Sequence, residues 1–547
     1  MAGPGMLYVT MQPEPGLPLQ QFHEWYNNEH GPTRLKIPQI FTNGLRYQAI
    51  DGEEPTFLAE YDVTSMNHLE TETYTRLRAN RSPREAETIG KVAVTRYFLD
   101  LVLAQQAKSF IPIEQLTDEE SEGLVRVAIQ LKPKDVDNAE SEIQKWYEEE
   151  HIEMLSRVHG WLRTRLFKTS VLEKDVPPTF LAVGDFSKSN GLGGTEYEAA
   201  VSTPRTKAVH EKYATIISRR KYELFYTFGS GSRDLYHLSQ LPSASSTFNS
   251  PDSKTYTSNS SSGPVIQSFV TTPDGLSIPY RLEGNPDPKA PTIAFCNSLL
   301  TSLHMWDPVV DILKTRRPQY RILRYDFRGR HSIPSPPQPS TLDILADDIS
   351  YLLTALRIPK LHALIGVSMG GATTQKFALK YPEKLEKFVA CDFNASSSPG
   401  NTIAWKERIG VAETPLEDGS AGINKLAVQT VERWFHPSSM NNKDTVKWIQ
   451  DMVASNDIEG FRYGCQALWD YDMRPELKDC KVPGLYVVGE GDAKGALVKT
   501  MEAFLQGLVS RKVASQQKFD LVVLPDAGHL PMCETPEGFW DAVDQFL

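Results

Sequence analysis

Short apolar runs alternate with helix-compatible segments through the second half of the chain. The runs at 291–296, 361–365, 482–490 and 519–525 are rich in aliphatic residues, which is typical of strands buried on both faces of a sheet. Helix-compatible segments follow the second and the fourth of these runs. The alternation predicts an open α/β sheet in this half of the chain.

About ninety residues lie between a strand that ends near Asp392 and the strand that starts at Val482. The helix-compatible segments in this stretch are 426–434, 443–454 and 458–469. Their position predicts a helical cap, residues 394–481, over the edge of the sheet. Trp405 and Trp434 are candidates to line an apolar pocket beneath the cap, although packing between cap helices would also explain either of them.

The first half of the chain repeats with an offset of about 121 residues. The string Trp-Tyr-Asn-Asn-Glu-His at 25–30 recurs as Trp-Tyr-Glu-Glu-Glu-His at 146–151, and Pro-Thr-Phe-Leu-Ala at 55–59 recurs at 178–182. Each unit has the order strand, helix, two strands, helix, strand, which leaves one face of its sheet without helices. Two such units that stack their open faces would form a barrel.

A histidine occupies the same place in each repeat. The segment 143–158 has apolar residues at helical spacing, and His151 falls on that stripe four residues after Tyr147. His30 follows Tyr26 in the same way. Two interpretations remain open for these histidines. They are buried groups that bond to the main chain, or they line a barrel pocket as acid–base groups, since histidine titrates near neutral pH.

The length of 547 residues predicts three or four domain-sized units. We predict the repeats at 1–118 and 119–240, a flexible linker at 241–264, and the α/β domain at 265–547. The linker segment is rich in serine, threonine, asparagine and proline and has almost no aliphatic residues. We therefore expect that it cannot bury enough apolar area to fold.

Charge and cysteine content exclude several classes of function. The net charge is −11 and no long basic run is present, so we expect no nucleic-acid or membrane partner. The five cysteines are odd in number and lack paired spacing, which indicates neither a disulfide scaffold nor a zinc site. We expect no metal and no cofactor. No signal-like start and no apolar run of about 20 residues is seen, so a cytoplasmic location is expected.

The string Gly-Val-Ser-Met-Gly at 366–370 lies between a predicted strand and a helix-compatible segment, where a G-x-S-x-G serine becomes a nucleophile. A hydroxyl needs an adjacent base that a third group orients. In this arrangement the chain order is serine, acid, histidine. Asp492 and His529 follow later strands at the same sheet edge, with Ser368 as the nucleophile and Glu490 as the alternative acid. A surface or capping role is the alternative for His529.

An oxyanion hole should accompany this serine. One donor is expected on the loop after the strand 291–296, and the other on the residue after the nucleophile. We therefore assign the main-chain N–H groups of Leu299 and Met369 to the hole, on position alone.

Several further segments carry a family resemblance. They are Asn297–Leu299, Leu303–Asp307, Arg324–Gly329, Trp405–Ile409 and Glu432–Phe435. Together with the serine turn, they resemble the 3-oxoadipate enol-lactone hydrolases of the α/β-hydrolase superfamily, over roughly residues 265–547. The resemblance implies an α/β-hydrolase fold with a helical cap. It also implies that an enol-lactone is opened through an acyl-enzyme, without metal or organic cofactor.

On this resemblance, Trp306, Trp405, Trp434 and His331 are candidate substrate-binding residues. Two positions depart from the family pattern. His331 replaces a small residue in the loop after Arg328-Gly329, and Leu300 stands where the family typically has glycine. Both lie where substrate would sit, so the substrate stays open. The superfamily also contains esterases, enzymes that hydrolyse C–C bonds, and members with no hydrolytic role.

The repeats of the first half resemble the ferredoxin-like, EthD-like dimeric α/β-barrel proteins, with both halves of the dimer fused in one chain. Three hypotheses follow. The chain is a serine hydrolase of a small-molecule lactone or ester. Alternatively, it is bifunctional, and the barrel isomerises, cyclises or dehydrates a polyketide-like or lactone intermediate at His30 or His151. In the third hypothesis the barrel is a non-catalytic module for self-association or substrate capture.

Overall fold

The computed structural model describes residues 3–417, 419–510 and 519–547. The chain forms two compact units, and the boundary between them falls between Ser232 and Arg233. This is earlier than the predicted end of the second repeat at residue 240. Among the described residues, no helix combines the length and the apolar character needed to cross a lipid bilayer.

The N-terminal unit is a closed antiparallel barrel with the strand order β1-β3-β2-β8-β5-β7-β6-β4. Its strands are β1 Gly5–Pro13, β2 Leu45–Ala49, β3 Phe57–Val63, β4 Val92–Gln106, β5 Val125–Pro133, β6 Trp161–Thr169, β7 Phe180–Phe186 and β8 Ala214–Thr227. Each sequence repeat contributes four consecutive strands, and β2 with β8 and β4 with β6 join the two sets. The predicted barrel is therefore present.

Short helices follow the strands of this unit. They are α1 Leu19–Trp25, α2 Gly31–Leu35, α3 Glu72–Ala79, α4 Pro83–Ile89, α5 Asp118–Ser121, α6 Ala139–Trp146, α7 Ile152–Ser156, α8 Thr195–Val201 and α9 Pro204–Lys212. The single helix predicted over 143–158 contains a π-helical turn, Tyr147–His151, and Tyr26–His30 is the equivalent turn in the first repeat. Such turns break the 3.6-residue period within an otherwise continuous apolar stripe.

Charged side chains meet inside the barrel. Arg126 on β5 is fully buried and forms ion pairs with Glu60 on β3 and with Asp185 on β7. Arg165 on β6 also contacts Glu60, at 2.9 Å. Because β3 and β5 are not neighbours in the sheet, the Arg126–Glu60 contact crosses the barrel interior. Each buried charge has an opposite charge beside it, which offsets its desolvation.

The C-terminal unit contains a ten-stranded sheet with the order β18-β17-β16-β15-β13-β14-β12-β11-β10-β9. Its strands are β9 Phe248–Asn249, β10 Tyr256–Ser260, β11 Gly263–Thr271, β12 Ser277–Gly284, β13 Thr292–Cys296, β14 Arg321–Tyr325, β15 Leu361–Val367, β16 Leu385–Cys391, β17 Gly484–Gly489 and β18 Phe519–Leu524. Strands β13 to β18 pair in parallel, and β9 to β12 add an antiparallel edge. Four of these six strands, β13, β15, β17 and β18, are the aliphatic runs of the sequence.

The helices of this unit are α10 Leu235–Ser239, α11 Ser243–Ser246, α12 Asp307–Arg316, α13 Leu342–Ala355, α14 Met369–Lys380, α15 Pro399–Glu413, α16 Gly422–Trp434, α17 Lys443–Ala454, α18 Ile458–Cys465, α19 Ala496–Ser510, α20 Pro531–Glu534 and α21 Pro536–Asp544. Helices α15 to α18 lie between β16 and β17, where the cap was predicted. Helix α17 has the predicted bounds.

The prediction of a flexible linker at 241–264 is wrong. This segment contains α11, β9, β10 and the beginning of β11, and it forms the outer edge of the sheet. Hydrogen bonds replace aliphatic packing there: Thr257 Oγ1 donates to Ser246 O at 3.0 Å, and the hydroxyls of Thr255 and Ser268 lie 2.9 Å apart. Phe248 supplies one buried apolar side chain. Edge strands of this kind need few aliphatic residues.

Candidate active site

Ser368 stands in the turn between β15 and α14, with φ 60° and ψ −121°. This conformation is strained for a residue other than glycine. The flanking residues must be glycines for steric reasons. A Cβ on Gly366 would lie 2.2 Å from Gly370 O, and a Cβ on Gly370 would lie 2.3 Å from Cys296 O. The turn therefore has the backbone of a nucleophile elbow and places Ser368 at the carboxyl edge of the sheet.

His529 and Asp492 are brought together at the same edge. His529 Nδ1 lies 2.7 Å from Asp492 Oδ2. The alternative acid, Glu490, is exposed. Within the described residues, Ser368 and His529 share no hydrogen bond, which is common for catalytic pairs before substrate binds. The structure therefore joins the imidazole to Asp492 and, among the described residues, does not join it to Ser368.

The cap holds the histidine from one side. Trp434, at the end of α16, accepts a hydrogen bond from His529 N at 2.6 Å through its main-chain oxygen. The Trp434 ring also stacks on the His529 imidazole, with 5.4 Å between centroids. Trp434 therefore lies directly against the site, as predicted for a residue that lines its pocket.

Two main-chain N–H groups are free near Ser368. Neither Leu299 N nor Met369 N has a hydrogen-bond acceptor among the described residues. Met369 N is the first N–H of α14, where such groups have no acceptor within the helix, and Leu299 N lies on the loop after β13. Leu300 has φ 72°, a left-handed conformation that favours glycine. Here leucine adopts the backbone for which the resembling family uses glycine.

The comparisons with known proteins concern this half of the chain. A model of the α/β hydrolase fold matches residues 291–410. The 3-oxoadipate enol-lactonase 2 of Acinetobacter baylyi is 29% identical over 277 residues, which are 50% of this chain and 95% of that protein. The pimeloyl-[acyl-carrier protein] methyl ester esterase of Aeromonas hydrophila is 27% identical, over 44% of this chain and 90% of that protein.

Two solved structures align with about the same half of the chain. A hydrolase from Pseudomonas aeruginosa is 31% identical over 51% of this chain and 97% of that chain, with a TM-score of 0.44. The enol-lactonase from Burkholderia xenovorans is 30% identical over 51% and 98% of the two chains, with a TM-score of 0.43. The C-terminal half belongs to the α/β-hydrolase family. The lactonase and esterase relatives support a hydrolase.

The prediction that Trp306 contacts substrate is wrong. Trp306, in the hydrolase half, is fully buried, and its Nε1 donates a hydrogen bond to Asn297 Oδ1 at 3.0 Å. Trp306 therefore packs beneath the loop that carries Leu299 and supports that loop. The candidate His331 is half exposed, and its Nε2 lies 2.8 Å from Asp326 Oδ2.

Two cap arginines near the hydrolase site, Arg408 and Arg433, form no ion pair with an acid among the described residues. The Arg408 guanidinium lies over the Trp405 ring, 4.4 Å from its centroid. Burial, and next the charge of Arg408, lower the pKa of Arg433 to about 10, while Asp492 opposes the shift. Trp405 and Arg408 therefore share one part of the cap with Arg433, beside the acid of the site.

Sequence reasoning missed Glu534, which holds the loop of His529. Its carboxylate accepts main-chain N–H groups from Gly528 at 3.0 Å, Leu530 at 3.1 Å and His436 at 2.8 Å. All three donors are main-chain groups, so no side-chain pattern in the sequence could reveal this role. His529 lies between two of these donors, Gly528 and Leu530, so the Glu534 carboxylate holds the main chain on both sides of the histidine.

The barrel histidines are buried. His30 Nδ1 lies 2.6 Å from Glu85 Oε1, and burial lowers the pKa of His30 to about 4. His151 Nδ1 has no hydrogen-bond partner in the described structure, and its ring stacks on Trp146 at 4.3 Å. The cavities beside them measure about 10 Å³ at His30 and about 30 Å³ at His151. Cavities of this size hold about one water molecule, not an organic substrate.

Proposed function

We propose that the hydrolase half cleaves a lactone or ester through an acyl-enzyme on Ser368. In this proposal His529 is the general base, and Asp492 holds its imidazole. The observation that carries the proposal is the 2.7 Å contact between His529 Nδ1 and Asp492 Oδ2 beside a serine with strained backbone angles. Because Asp492 engages Nδ1, the Nε2 atom is the nitrogen available to the serine hydroxyl.

The reaction follows from these positions. His529 takes the Ser368 proton as the hydroxyl oxygen attacks the substrate carbonyl, and the negative oxygen that forms is held by the N–H groups of Leu299 and Met369. When the C–O bond breaks, the imidazolium returns the proton to the leaving oxygen. Water, activated by the same histidine, then hydrolyses the acyl-enzyme. Loss of one oxyanion donor costs about 10²–10³ in turnover in related sites.

The favoured substrate is an enol-lactone that carries a carboxylate, as 3-oxoadipate enol-lactone does. The relatives named as enol-lactonases support the lactone. Arg408 and Arg433 support the carboxylate, because neither forms an ion pair with an acid among the described residues and Arg433 lies close enough to Asp492 to interact with it. A substrate carboxylate between them would relieve their mutual repulsion.

For the N-terminal unit we propose two fused ferredoxin-like units of the EthD-like kind. The strand order in each half, fourth-first-third-second, supports this division. We propose that the unit acts in self-association and not in catalysis at its two histidines, since the cavities beside them have room for about one water molecule each.

The experiment that tests the hydrolase proposal is covalent labelling with a fluorophosphonate, read by intact mass and peptide mapping. We expect one adduct on Ser368 and turnover of small lactones by the unlabelled protein. Ser368→Ala should lose both. Ser350→Ala on α13 is the matched control, because its hydroxyl contacts Lys384 Nζ at 2.7 Å and lies on a different helix from the elbow. Undiminished turnover by Ser368→Ala would overturn the proposal.

A further inference from the structure

A second acid, Asp392, lies at the carboxyl end of β16 next to the loop of Asp492. Its N–H donates to Val487 O at 3.0 Å, and its Oδ1 accepts from Gly489 N at 2.8 Å. These contacts direct the Asp392 side chain along the end of β17, just before that strand continues to Asp492. Asp392 is only 1% exposed and has φ 46°. The proposed mechanism gives this buried carboxyl group no role.

The other oxygen of Asp392, Oδ2, is buried and has no hydrogen-bond donor among the described residues. An ionised carboxyl there would be a buried charge without compensation, which is costly. Its titratable neighbours Asp492, Glu534 and Cys391 supply no positive charge, and Arg433 interacts with Asp492. Burial, and next the Asp492 carboxylate, raise the pKa of Asp392 well above its ordinary value.

We propose that Asp392 is a neutral carboxylic acid that donates its proton in a hydrogen bond to Asp492, so that two acids sharing one proton orient His529. This inference rests on the proposed catalytic triad. Asp392 touches neither substrate nor the reacting atoms, so it is a positioning residue. The pair carries a single negative charge.

The shared proton has two consequences for His529. It fixes one oxygen of Asp492, so that Oδ2 stays in contact with the imidazole Nδ1 at 2.7 Å. It also keeps a second negative charge away from the imidazole. Two ionised carboxylates behind the ring would hold its proton more tightly and shift the pH range in which the histidine acts as a base.

The test compares the pH profile of kcat/KM in the wild-type chain, Asp392→Asn and Asp392→Ala. Asparagine has the shape of the neutral acid and an N–H donor, so we expect the acid limb of the profile to stay within about 0.3 pH unit. Asp392→Ala removes the donor, and kcat should fall by about 10–100-fold, with rescue in the asparagine variant. A shift of the acid limb of Asp392→Asn to lower pH by about one unit would show that Asp392 is ionised, and would overturn the inference.

Infrared spectroscopy provides a readout that does not depend on activity. With ¹³C-labelled aspartate, we expect the carbonyl band of a protonated aspartic acid at pH 8 in the full-length wild-type chain and its loss in Asp392→Asn. Absence of that band from the wild type overturns the inference even if a variant fails to fold. If Ser368→Ala keeps full turnover, the proposed function fails, while the band still reports on Asp392.

Discussion

Two histidine–acid pairs of nearly equal length occur in the two halves of this chain. His529 Nδ1 lies 2.7 Å from Asp492, and His30 Nδ1 lies 2.6 Å from Glu85. The side chains are also buried to a similar degree, with 14% of His529 and 8% of His30 exposed. The distance between imidazole and carboxylate therefore does not tell which pair does chemistry.

The surroundings of the two imidazoles differ. His529 stands at the edge of a parallel sheet that also carries a strained serine, two unpaired main-chain N–H groups and unpartnered cap arginines. His30 lies against the rings of Trp25 and Tyr26, beside a cavity of about 10 Å³. A catalytic base needs a nucleophile nearby, and of these two pairs in the described structure it is His529 that shares its sheet edge with a serine on a strained turn.

The largest expected effect is on turnover. His529→Ala removes the base that activates Ser368, so we expect lactone turnover to fall by about 10⁴-fold or more. His30→Ala removes the matching imidazole of the barrel and should leave kcat and KM of the folded protein unchanged. Steady-state kinetics on purified full-length variants measures both.

Melting curves provide the control for this pair of variants, since His30 is buried and its loss will lower stability. Activity is therefore compared per folded molecule at a temperature where both variants are native. If His30→Ala also abolishes turnover, the barrel takes part in catalysis, and the bifunctional hypothesis replaces the one favoured here.

The next effect is on how the free energy of unfolding depends on pH, and it compares the histidines of the two repeats. Burial lowers the pKa of His151 to about 4, whereas an unfolded histidine has a pKa near 6.5. Between these values the unfolded chain binds one proton more, so folding stability falls as pH falls from 6.5 to 4, by about 3 kcal/mol. His151→Gln should remove this slope, which calorimetry of the full-length chain at pH 4.5–7 measures.

The first repeat should show no such slope. His30 contributes the same loss at low pH, but burial raises the pKa of Glu29 to about 7, so that the folded chain binds a proton there between pH 4.5 and 7. The two terms oppose each other over the shared range. In His30→Gln the Glu29 contribution is opposed by that of His151, so stability should change little with pH; the double variant His30→Gln/His151→Gln leaves the Glu29 contribution alone, and its stability should fall as pH rises. A double variant whose stability rises with pH between 4.5 and 7 would contradict this account.

Much of the hydrolase half follows from local sequence. Parallel strands read as aliphatic runs, so the buried strands β15 and β17 and the edge strand β18 were predicted close to their observed bounds. The contact of His529 with Asp492 follows from chain order and sheet topology, since each residue comes after a strand and parallel strands end at one edge. The geometry of Ser368 follows from its two glycines.

Features that depend on tertiary contacts were not predictable in this way. The π turn that ends at His151 leaves the apolar stripe intact, so the sequence reads as one helix. The strands at 248–260 are held by hydroxyl hydrogen bonds, which have no apolar period. Trp306 lies in a segment that resembles an active-site motif, yet it is fully buried behind the loop of Leu299. Asp392 has no distinctive sequence context, and only the structure shows that it is buried beside Asp492.

The third prediction concerns the cap arginines. Methionine at Arg408 or Arg433 keeps the length of the side chain and removes its charge. A hydrogen bond to a charged group contributes about 1.5–3 kcal/mol, so KM for a carboxylate-bearing lactone should rise about 10–100-fold while kcat changes little. Kinetics with an acid lactone and with an uncharged ester of similar size measures this.

Arg462→Met is the matched control for these two variants. Arg462 lies in the same cap, on α18, and already forms an ion pair with Glu413. We expect no change in KM from this variant. An equal loss on the uncharged ester for Arg408→Met or Arg433→Met would mean that the arginines shape the cap and do not bind an anion.

The smallest expected effect is on the free energy of unfolding, and it compares one helix-capping hydroxyl in each repeat. Ser82 accepts from Glu85 N at 2.9 Å and donates to the Glu29 carboxylate, while Thr203 caps α9 and donates to Glu150 Oε1 at 2.6 Å. Loss of the cap should cost about 1 kcal/mol in either repeat. Ser82→Ala should cost about 1 kcal/mol more than Thr203→Ala, because Glu29 is buried and loses a donor, whereas Glu150 is partly exposed and can bond to water. Calorimetry of both alanine variants decides it, and equal losses would show that Arg84 alone compensates the buried carboxylate.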